Sequence, residues 1–372
     1  MTQVSWGGSE ELWSQAAVRL VEMGHEVAAV TEKWTPLSDK VTAMAKRGVR
    51  LRLRESSRGA LGKALLRRVT GWNPKNADYA WVVEQKPDLV VISQGSISDG
   101  VTPMLFCLDT KLPYLTIVQC NAEIAWPEDG LAAALARAYL GAAQVCGVSQ
   151  NNLSLLECQT GERLPTARVL CNPNNVANAG LLPWPEQEIP ARLACVGRLD
   201  AIVKGQDVLF KVLARSEWRA RPVELSLFGS GPNERTLRQM AANLQLAKVH
   251  FRGFASNIAE IWRDHHLLVM PSRQEGSPLT LVEAMSCGRA AVVTDVGGNA
   301  EMCVDGETGF IASAAAVGPL AEAMERAWAR RGEWRAMGLA GRKRILELVP
   351  RDLVGDFCQL IKEVVNRGER AG

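Results

Sequence analysis

The residues best suited to chemistry lie in PSRQEGSPLTLVEAMSCG, Pro271 to Gly288. The apolar run His266–Met270 reads as a buried strand that ends in a polar turn. A helix is expected from Ser277-Pro278, since serine is a good N-cap and proline at the first helical position gives up no needed donor. Gly288 stops that helix about three turns later. Its first-turn N–H groups and its dipole make an anion site. Glu275 stands in the turn before the helix, and Glu283 about one and a half turns inside it, where a side chain leaning toward the N-terminus still reaches the tip. Two carboxylates beside such a helix suit a ligand with both hydroxyls and phosphates, as in a nucleotide sugar.

A second group supports the first. ACVGRLDAIVKGQDVLF places Arg198 and Lys204 in the turn after a strand, flanked by Gly197 and Gly205. Two cations in one loop would neutralise a diphosphate and stabilise it as a leaving group. LFGSGPNERTL supplies another glycine turn at Gly229, and TDVGGNAEMCVDGETGF a third. GSGPNE departs from GxGxxG, which counts against a hydride-transferring dinucleotide site.

These loops need strands to carry them. HEVAAV, PDLVVIS, PYLTIVQ, QVCGVS and ARVLCNP in the first half, and RLACVG, VELSLFG, KVHFRG, HLLVMPS, AAVVTDVG and TGFIA in the second, are short apolar runs separated by helical patterns. Near-continuous apolar strands spaced by helices predict parallel sheets covered on both faces. CNPNNVANAGLLPWPEQEIP, with four prolines and four asparagines, reads as a linker with a hinge around residues 172–183. The expected architecture is α/β: two doubly wound, Rossmann-like domains facing a ligand cleft, at 1–175 and 176–350, with an amphipathic helix at 351–372 packing back on the first.

Composition narrows the class. The 372 residues are 47% hydrophobic and 22% charged, which fits a folded globular chain. No apolar run approaches the roughly 20 residues of a membrane span, and Ser9, Glu10 and Glu11 interrupt any secretory signal. Nine scattered cysteines without a CxxC pair read as reduced thiols, and so as a cytoplasmic protein. Net charge is only +3, but Lys46, Arg47, Arg50, Arg52, Arg54, Arg58, Lys63, Arg67 and Arg68 fall within 44–70, opposed there by Glu55 alone. That stretch is either a solvated basic face or a surface for an anionic acceptor or for acidic lipids at the inner face of a membrane. Without interleaved aromatics it does not suit nucleic acid.

From about Leu193 to Ala312, GRLDAIVKG, LFGSGPNERTL, VHFRGF, MPSRQEGSPLTLVEAMSCGRAAVVTDVGGNAE and DGETGFI follow one another in order and spacing. Together they resemble the retaining, nucleotide-sugar-dependent glycosyltransferases of family 4 (glycosyl transferases group 1), which have the GT-B fold. The resemblance implies that Arg198 and Lys204 hold the donor diphosphate and that Glu275 contacts the donor sugar near the reacting centre. It gives Glu283 to the ribose hydroxyls, Gly276, Ser277, Leu279 and Thr280 to the sugar and distal phosphate, and Gly253 and Phe254 to the base pocket. Gly7 and Gly8 match the glycine loop that closes over the donor, and Gly197 and Gly229 belong to the donor-side turns. The implied reaction retains anomeric configuration, with front-face attack and the leaving phosphate taking the acceptor proton. It needs no metal or other cofactor, and no DxD motif occurs in the chain.

The first half matches loosely. YLTIVQCNAEIAWPEDG lacks the histidine many relatives carry there, leaving Gln119, Asn121 and Glu123 as acceptor-side candidates or ordinary loop residues. His25, His250, His265 and His266 read as structural, with no metal site. Trp126 and Trp72 could stack on a sugar, whereas Trp81 and Trp328 read as packing. WGGSEELW is a glycine loop and helix with no strand before it, so the first strand of that sheet is expected to be missing. The expected activity is a bacterial-type glycosyltransferase using a UDP- or GDP-sugar and a glycan, lipid-linked or small-molecule acceptor. The alternatives are a nucleotide-binding but inactive or truncated homologue and, less well supported, an NAD-dependent sugar-nucleotide enzyme.

Overall fold

The computed structural model describes residues 6–33, 37–55, 77–173, 176 and 180–371. They fall into two compact units: one runs to Pro173 and resumes at Asp352, and the other spans 174–351.

In the first unit the order is α1 (Gly8–Glu22), β1 (Ala28–Lys33), α2 (Asp39–Lys46), β2 (Arg50–Glu55), α3 (Ala77–Glu84) and β3 (Val90–Gln94). There follow α4 (Val101–Asp109), β4 (Tyr114–Val118), α5 (Asp129–Leu140), β5 (Gln144–Gly147), α6 (Gln150–Thr160) and β6 (Ala167–Val169). Every strand pairing is parallel, but the pairings form two sheets, β1-β2 and β3-β4-β5-β6. Helix α1 serves both. Leu12, Ala16 and Leu20 pack with Leu115 and Ile117 of β4, while Ala17 and Val18 pack with Met44 and Val49 beside β2. Among the described residues no strand joins β1 to β3.

Strand β2 was not foreseen. In RLRLRE the leucines alternate with arginines, a strand period masked by the charge run it belongs to. Its arginines meet carboxylates from outside the 44–70 stretch. Arg50 meets Glu26 at 2.9 Å, Arg52 meets Asp78 at 2.6 Å, Arg54 meets Glu32 at 3.8 Å, and nearby Arg47 meets Glu22 at 3.8 Å. The remaining basic residues of the run, Arg58, Lys63, Arg67 and Arg68, lie outside the described residues, as does Trp72.

The second unit comprises β7 (Ala191–Val196), α7 (Ala201–Lys204), α8 (Gln206–Leu213), α9 (Ser216–Ala220), β8 (Val223–Phe228), α10 (Glu234–Asn243) and β9 (Val249–Gly253). It continues through α11 (Ile258–Asp264), β10 (Leu267–Met270), α12 (Leu279–Ser286), β11 (Ala290–Thr294), α13 (Asn299–Met302), β12 (Gly309–Ala312), α14 (Val317–Ala329) and α15 (Trp334–Leu348). One parallel six-stranded sheet, β12-β11-β10-β7-β8-β9, runs through it. Its inner strands β10 and β11 are buried at every residue, as strands covered by helices on both faces must be. The last helix, α16 (Leu353–Ala371), belongs to the first unit. Its Phe357, Cys358, Leu360 and Val364 share a core with Leu12, Ala16 and Leu20, and Asp352 beside it pairs with Arg19 at 2.6 Å.

Candidate functional site

The loops of the second unit meet at the C-terminal edge of its sheet. After β7 the chain turns at Gly197 (φ +155°), and after β8 at Gly229 (φ +134°). A Cβ on Gly229 would stand 2.1 Å from the Gly197 carbonyl oxygen, so only glycine lets these turns touch. The Gly229 N–H donates to the Gly253 carbonyl at 2.7 Å, extending the row to the end of β9. Phe254 follows with its side chain largely exposed.

Lys204 ends α7. Its Nζ donates to Glu275 Oε1 at 2.6 Å, with the lysine side chain 25% and the carboxylate side chain 7% exposed. This ion pair joins two loops whose paired residues lie 71 apart in the chain. Ser272 Oγ donates to the same oxygen, also at 2.6 Å. Behind Lys204, Gly205 (φ +64°) lies so close to the next loop that a Cβ there would be 2.0 Å from the Pro271 carbonyl oxygen. The Arg273 N–H donates to Val203 O at 2.8 Å, and its guanidinium grips Asp207 through two bonds of 2.7 and 2.8 Å. Burial raises the Asp207 pKa, but hydrogen bonds and charge from Arg273 outweigh it and leave that carboxyl below its ordinary range. Sequence reasoning missed Arg273 and Asp207, whose pairing across 66 residues is assembled by tertiary folding, and Ser272, whose local i to i+3 bond to Glu275 has no distinctive sequence signal.

Arg198 is 55% exposed on its side chain and pairs with Asp200 at 3.0 Å. Its carbonyl accepts from the buried Gln206 amide at 2.9 Å, which fixes the loop backbone. Glu283 sits in α12, 3% exposed, on the helix whose start follows Glu275 by four residues. That helix begins one residue later than expected, and Ser277 is not its N-cap. Pro278 (φ −80°, ψ 72°) is the centre of an inverse γ-turn in which the Leu279 N–H donates to the Ser277 carbonyl at 2.9 Å. The helix is also shorter, at eight residues. It closes at Gly288 (φ +78°), where the Arg289 N–H reaches back to Ala284 O and the Gly288 N–H to Met285 O, a Schellman arrangement. Gly276 is buried, Leu279 is half-buried, and Thr280 Oγ1 lies 3.4 Å from Val196 O of β7.

In the other unit, Gly7 caps α1 and Gly8 opens it. The Gly7 N–H donates to Glu10 Oε2 at 2.9 Å, so the helix carries its own carboxylate at the turn expected to meet a donor. The glycine-x-x-glutamate spacing was the available signal. Gln119 is buried, with Oε1 accepting from Asn172 at 2.6 Å. Asn121 is buried too, and both ends of its amide are bonded internally to Asn152 and Gln159. Glu123 and Trp126 are exposed. Of the histidines, His265 and His266 are buried in the second unit, and desolvation lowers the pKa of each, His266 to about 4. Among the described residues no three His, Cys, Asp or Glu side chains gather as metal ligands.

Known proteins place this assembly. Residues 190–330 match the family model described as glycosyl transferases group 1. A D-inositol 3-phosphate glycosyltransferase of Gordonia bronchialis is 31% identical over 158 residues, 38% of this chain and 34% of its own. A GDP-mannose-dependent alpha-(1-6)-phosphatidylinositol monomannoside mannosyltransferase of Mycolicibacterium smegmatis is 32% identical over 163 residues, 40% of this chain and 42% of its own. The chain thus spans well under half the length of these curated relatives in the matched region. Whole-chain similarity is seen with the crystal structure of Anabaena Alr3699/HepE in complex with UDP and glucose, at TM-score 0.72 and 18% identity, covering 98% of this chain and 97% of that one. The apo lipopolysaccharide outer core galactosyltransferase WaaB gives TM-score 0.66 at 18% identity, covering 97% of each chain. Residues 190–330 thus match the glycosyl transferases group 1 model, and the chain as a whole has the GT-B fold of its structural neighbours.

Proposed function

We propose that the chain transfers a glycosyl group, with retention, from a nucleoside diphosphate sugar to a glycan, lipid-linked or small-molecule acceptor, and that it does so without a metal. The observation that carries this reading is the Lys204–Glu275 pair at 2.6 Å, set at the sheet edge beside the start of α12. An ammonium has three donors. Lys204 can therefore keep Glu275 and still offer N–H groups to a diphosphate, with Arg198 supplying a second, more exposed cation. Positive charge and first-turn amides would then stabilise the phosphate as the glycosidic bond breaks. Glu275, held by Lys204 and Ser272, would present its carboxylate to the sugar hydroxyls, and Glu283 would serve the ribose.

The acceptor is assigned to the first unit. Glu123 and Trp126 are its exposed candidates, Gln119 is a buried one, and Asn121 is given to the internal network. Gly7 and Gly8 remain the proposed closing loop, with Glu10 as the carboxylate a phosphate would have to displace. The described arginines of 44–70 already meet carboxylates, so that part of the stretch is assigned to the protein's own paired surface rather than to a membrane. No helix among the described residues is long and apolar enough to cross a membrane. UDP or GDP release from UDP-glucose and GDP-mannose, with and without acceptor glycans, tests the proposal. Lys204→Ala and Glu275→Ala should each slow release by about 100-fold or more, on the scale of losing a key electrostatic contact. Wild-type rates in both variants would overturn the assignment.

A further inference from the structure

We propose that Ser272 is a positioning residue for Glu275, and that Thr294 in turn sets Ser272. The inference rests on the reading of Glu275 as a donor-sugar contact. Ser272 is the second residue after β10 and has no solvent exposure, yet its hydroxyl is engaged: Oγ donates to Glu275 Oε1 at 2.6 Å. The neighbouring strand β11, which pairs Val293 with Met270, ends at Thr294, also fully buried. Thr294 Oγ1 donates to the Ser272 carbonyl at 2.6 Å, and the Thr294 carbonyl accepts from buried Asn299 Nδ2 at 2.8 Å. A line of buried hydrogen bonds thus runs from Asn299 through Thr294 and Ser272 to the carboxylate. The backbone behind it is fixed as well. Gly298 N–H donates to Gly276 O at 3.0 Å, and a Cβ on Gly297 (φ +54°) would stand 2.2 Å from Glu275 O.

The two donors on Oε1 differ in what else they would do. Lys204 comes from another loop and is the cation a diphosphate would draw upon. Ser272 comes from the turn of Glu275 itself and is sealed from solvent. When the ammonium is shared with phosphate, Lys204 alone would let the carboxylate follow it away from the sugar. The serine hydroxyl holds that oxygen in register with the turn. Its loss is therefore expected in turnover and not in donor binding.

The test is a kinetic cycle on the full chain with UDP-glucose or GDP-mannose, read by nucleotide release, with a crystal structure of Ser272→Ala. Ser272→Ala should lower kcat by about 10- to 30-fold, the range for a lost hydrogen bond to a charged group, with the donor KM changed by no more than about twofold. In a Glu275→Ala background the same change should cost less than about twofold, because there is no carboxylate left to position. Ser272→Thr, which keeps the hydroxyl, should recover most of the loss. Thr294→Val should lower kcat by about threefold with the same unchanged KM. In the crystal the Glu275 carboxylate of Ser272→Ala should be turned from its wild-type place. An unmoved carboxylate overturns the proposal whether or not the enzyme turns over, and so does an undiminished loss in the Glu275→Ala background or a loss confined to KM. Should Ser272→Ala fail to fold, an unchanged kcat in folded Thr294→Val overturns the relay. Absence of nucleotide release from the wild type, with the carboxylate still displaced in the variant, would instead count against the glycosyl-transfer reading alone.

Discussion

The two units carry the same kind of element in different states of closure. The second is one unbroken parallel sheet whose loops are locked backbone to backbone, at Gly205 on Pro271, Gly229 on Gly197 and Gly297 on Glu275. The first is a two-stranded and a four-stranded sheet held under one helix, with its charges paired at the surface and its buried amides bonded to one another. A unit that must hold a carboxylate and an ammonium 2.6 Å apart gains from rigid loops. A unit whose strands form two separate sheets relies instead on its covering helix and its side-chain networks.

The largest test of that contrast compares glycines of like φ. Gly205→Ala should destabilise the second unit by on the order of 3–5 kcal/mol, since φ +64° and a carbonyl 2.0 Å from the new Cβ both oppose it. Gly161→Ala in the first unit has φ +71° but nothing within 4 Å, and should cost only about 1 kcal/mol. Denaturant unfolding resolved by unit-specific hydrogen exchange measures both. Equal costs would break the comparison.

Buried arginine comes next. Arg289 is 1% exposed and donates to the carbonyls of His265, Cys287 and Pro183, anchoring the linker to the second unit. Arg289→Met strands those carbonyls and should cost about 3 kcal/mol by denaturation. Arg50→Ala in the first unit breaks an exposed pair with Glu26 and should cost under about 1 kcal/mol.

Acid should act first on the second unit. Burial, and Arg192 close by, push the His266 pKa from 6.5 to about 4. Between those values the unfolded chain binds more protons than the folded one. Stability contributed there is complete above pH 6.5 and falls as pH drops toward 4. His266→Gln, which keeps an acceptor for the Arg192 N–H, should flatten the second unit's stability over that window, as followed by Tm against pH. An unchanged slope would remove His266 as the cause.

The smallest effect concerns the seam. Amides of β1 should exchange with deuterium faster than those of β11, because β1 pairs on one side only among the described residues and β11 pairs on both. Equal protection would show that α1 seals the seam as well as a strand does.

What the sequence disclosed follows the same division. Strands β10 and β11 are legible because doubly covered parallel strands are continuous apolar runs, and the loops that hold Arg198, Lys204 and Glu275 are legible as turns because glycines frame them. Strand β2 is hidden because Arg50, Arg52 and Arg54 draw attention to charge, and the leucines between them are only two. Pro278 misleads because its ring fits either a first helical turn or the centre of an inverse γ-turn, and only its ψ of 72° decides. The Lys204–Glu275 and Arg273–Asp207 pairs span 71 and 66 residues, a separation at which no local pattern operates.

The glycine contacts also decide how a lineage of such proteins can change. Where a backbone carbonyl lies about 2 Å from the place of a missing Cβ, as at Gly205, Gly229 and Gly297, all nineteen replacements are closed together. Change must then enter through side chains with room around them, such as exposed Ile202 in α7 and exposed Phe254 after β9. A mutational library spread evenly over these loops would spend much of its diversity on chains that never fold.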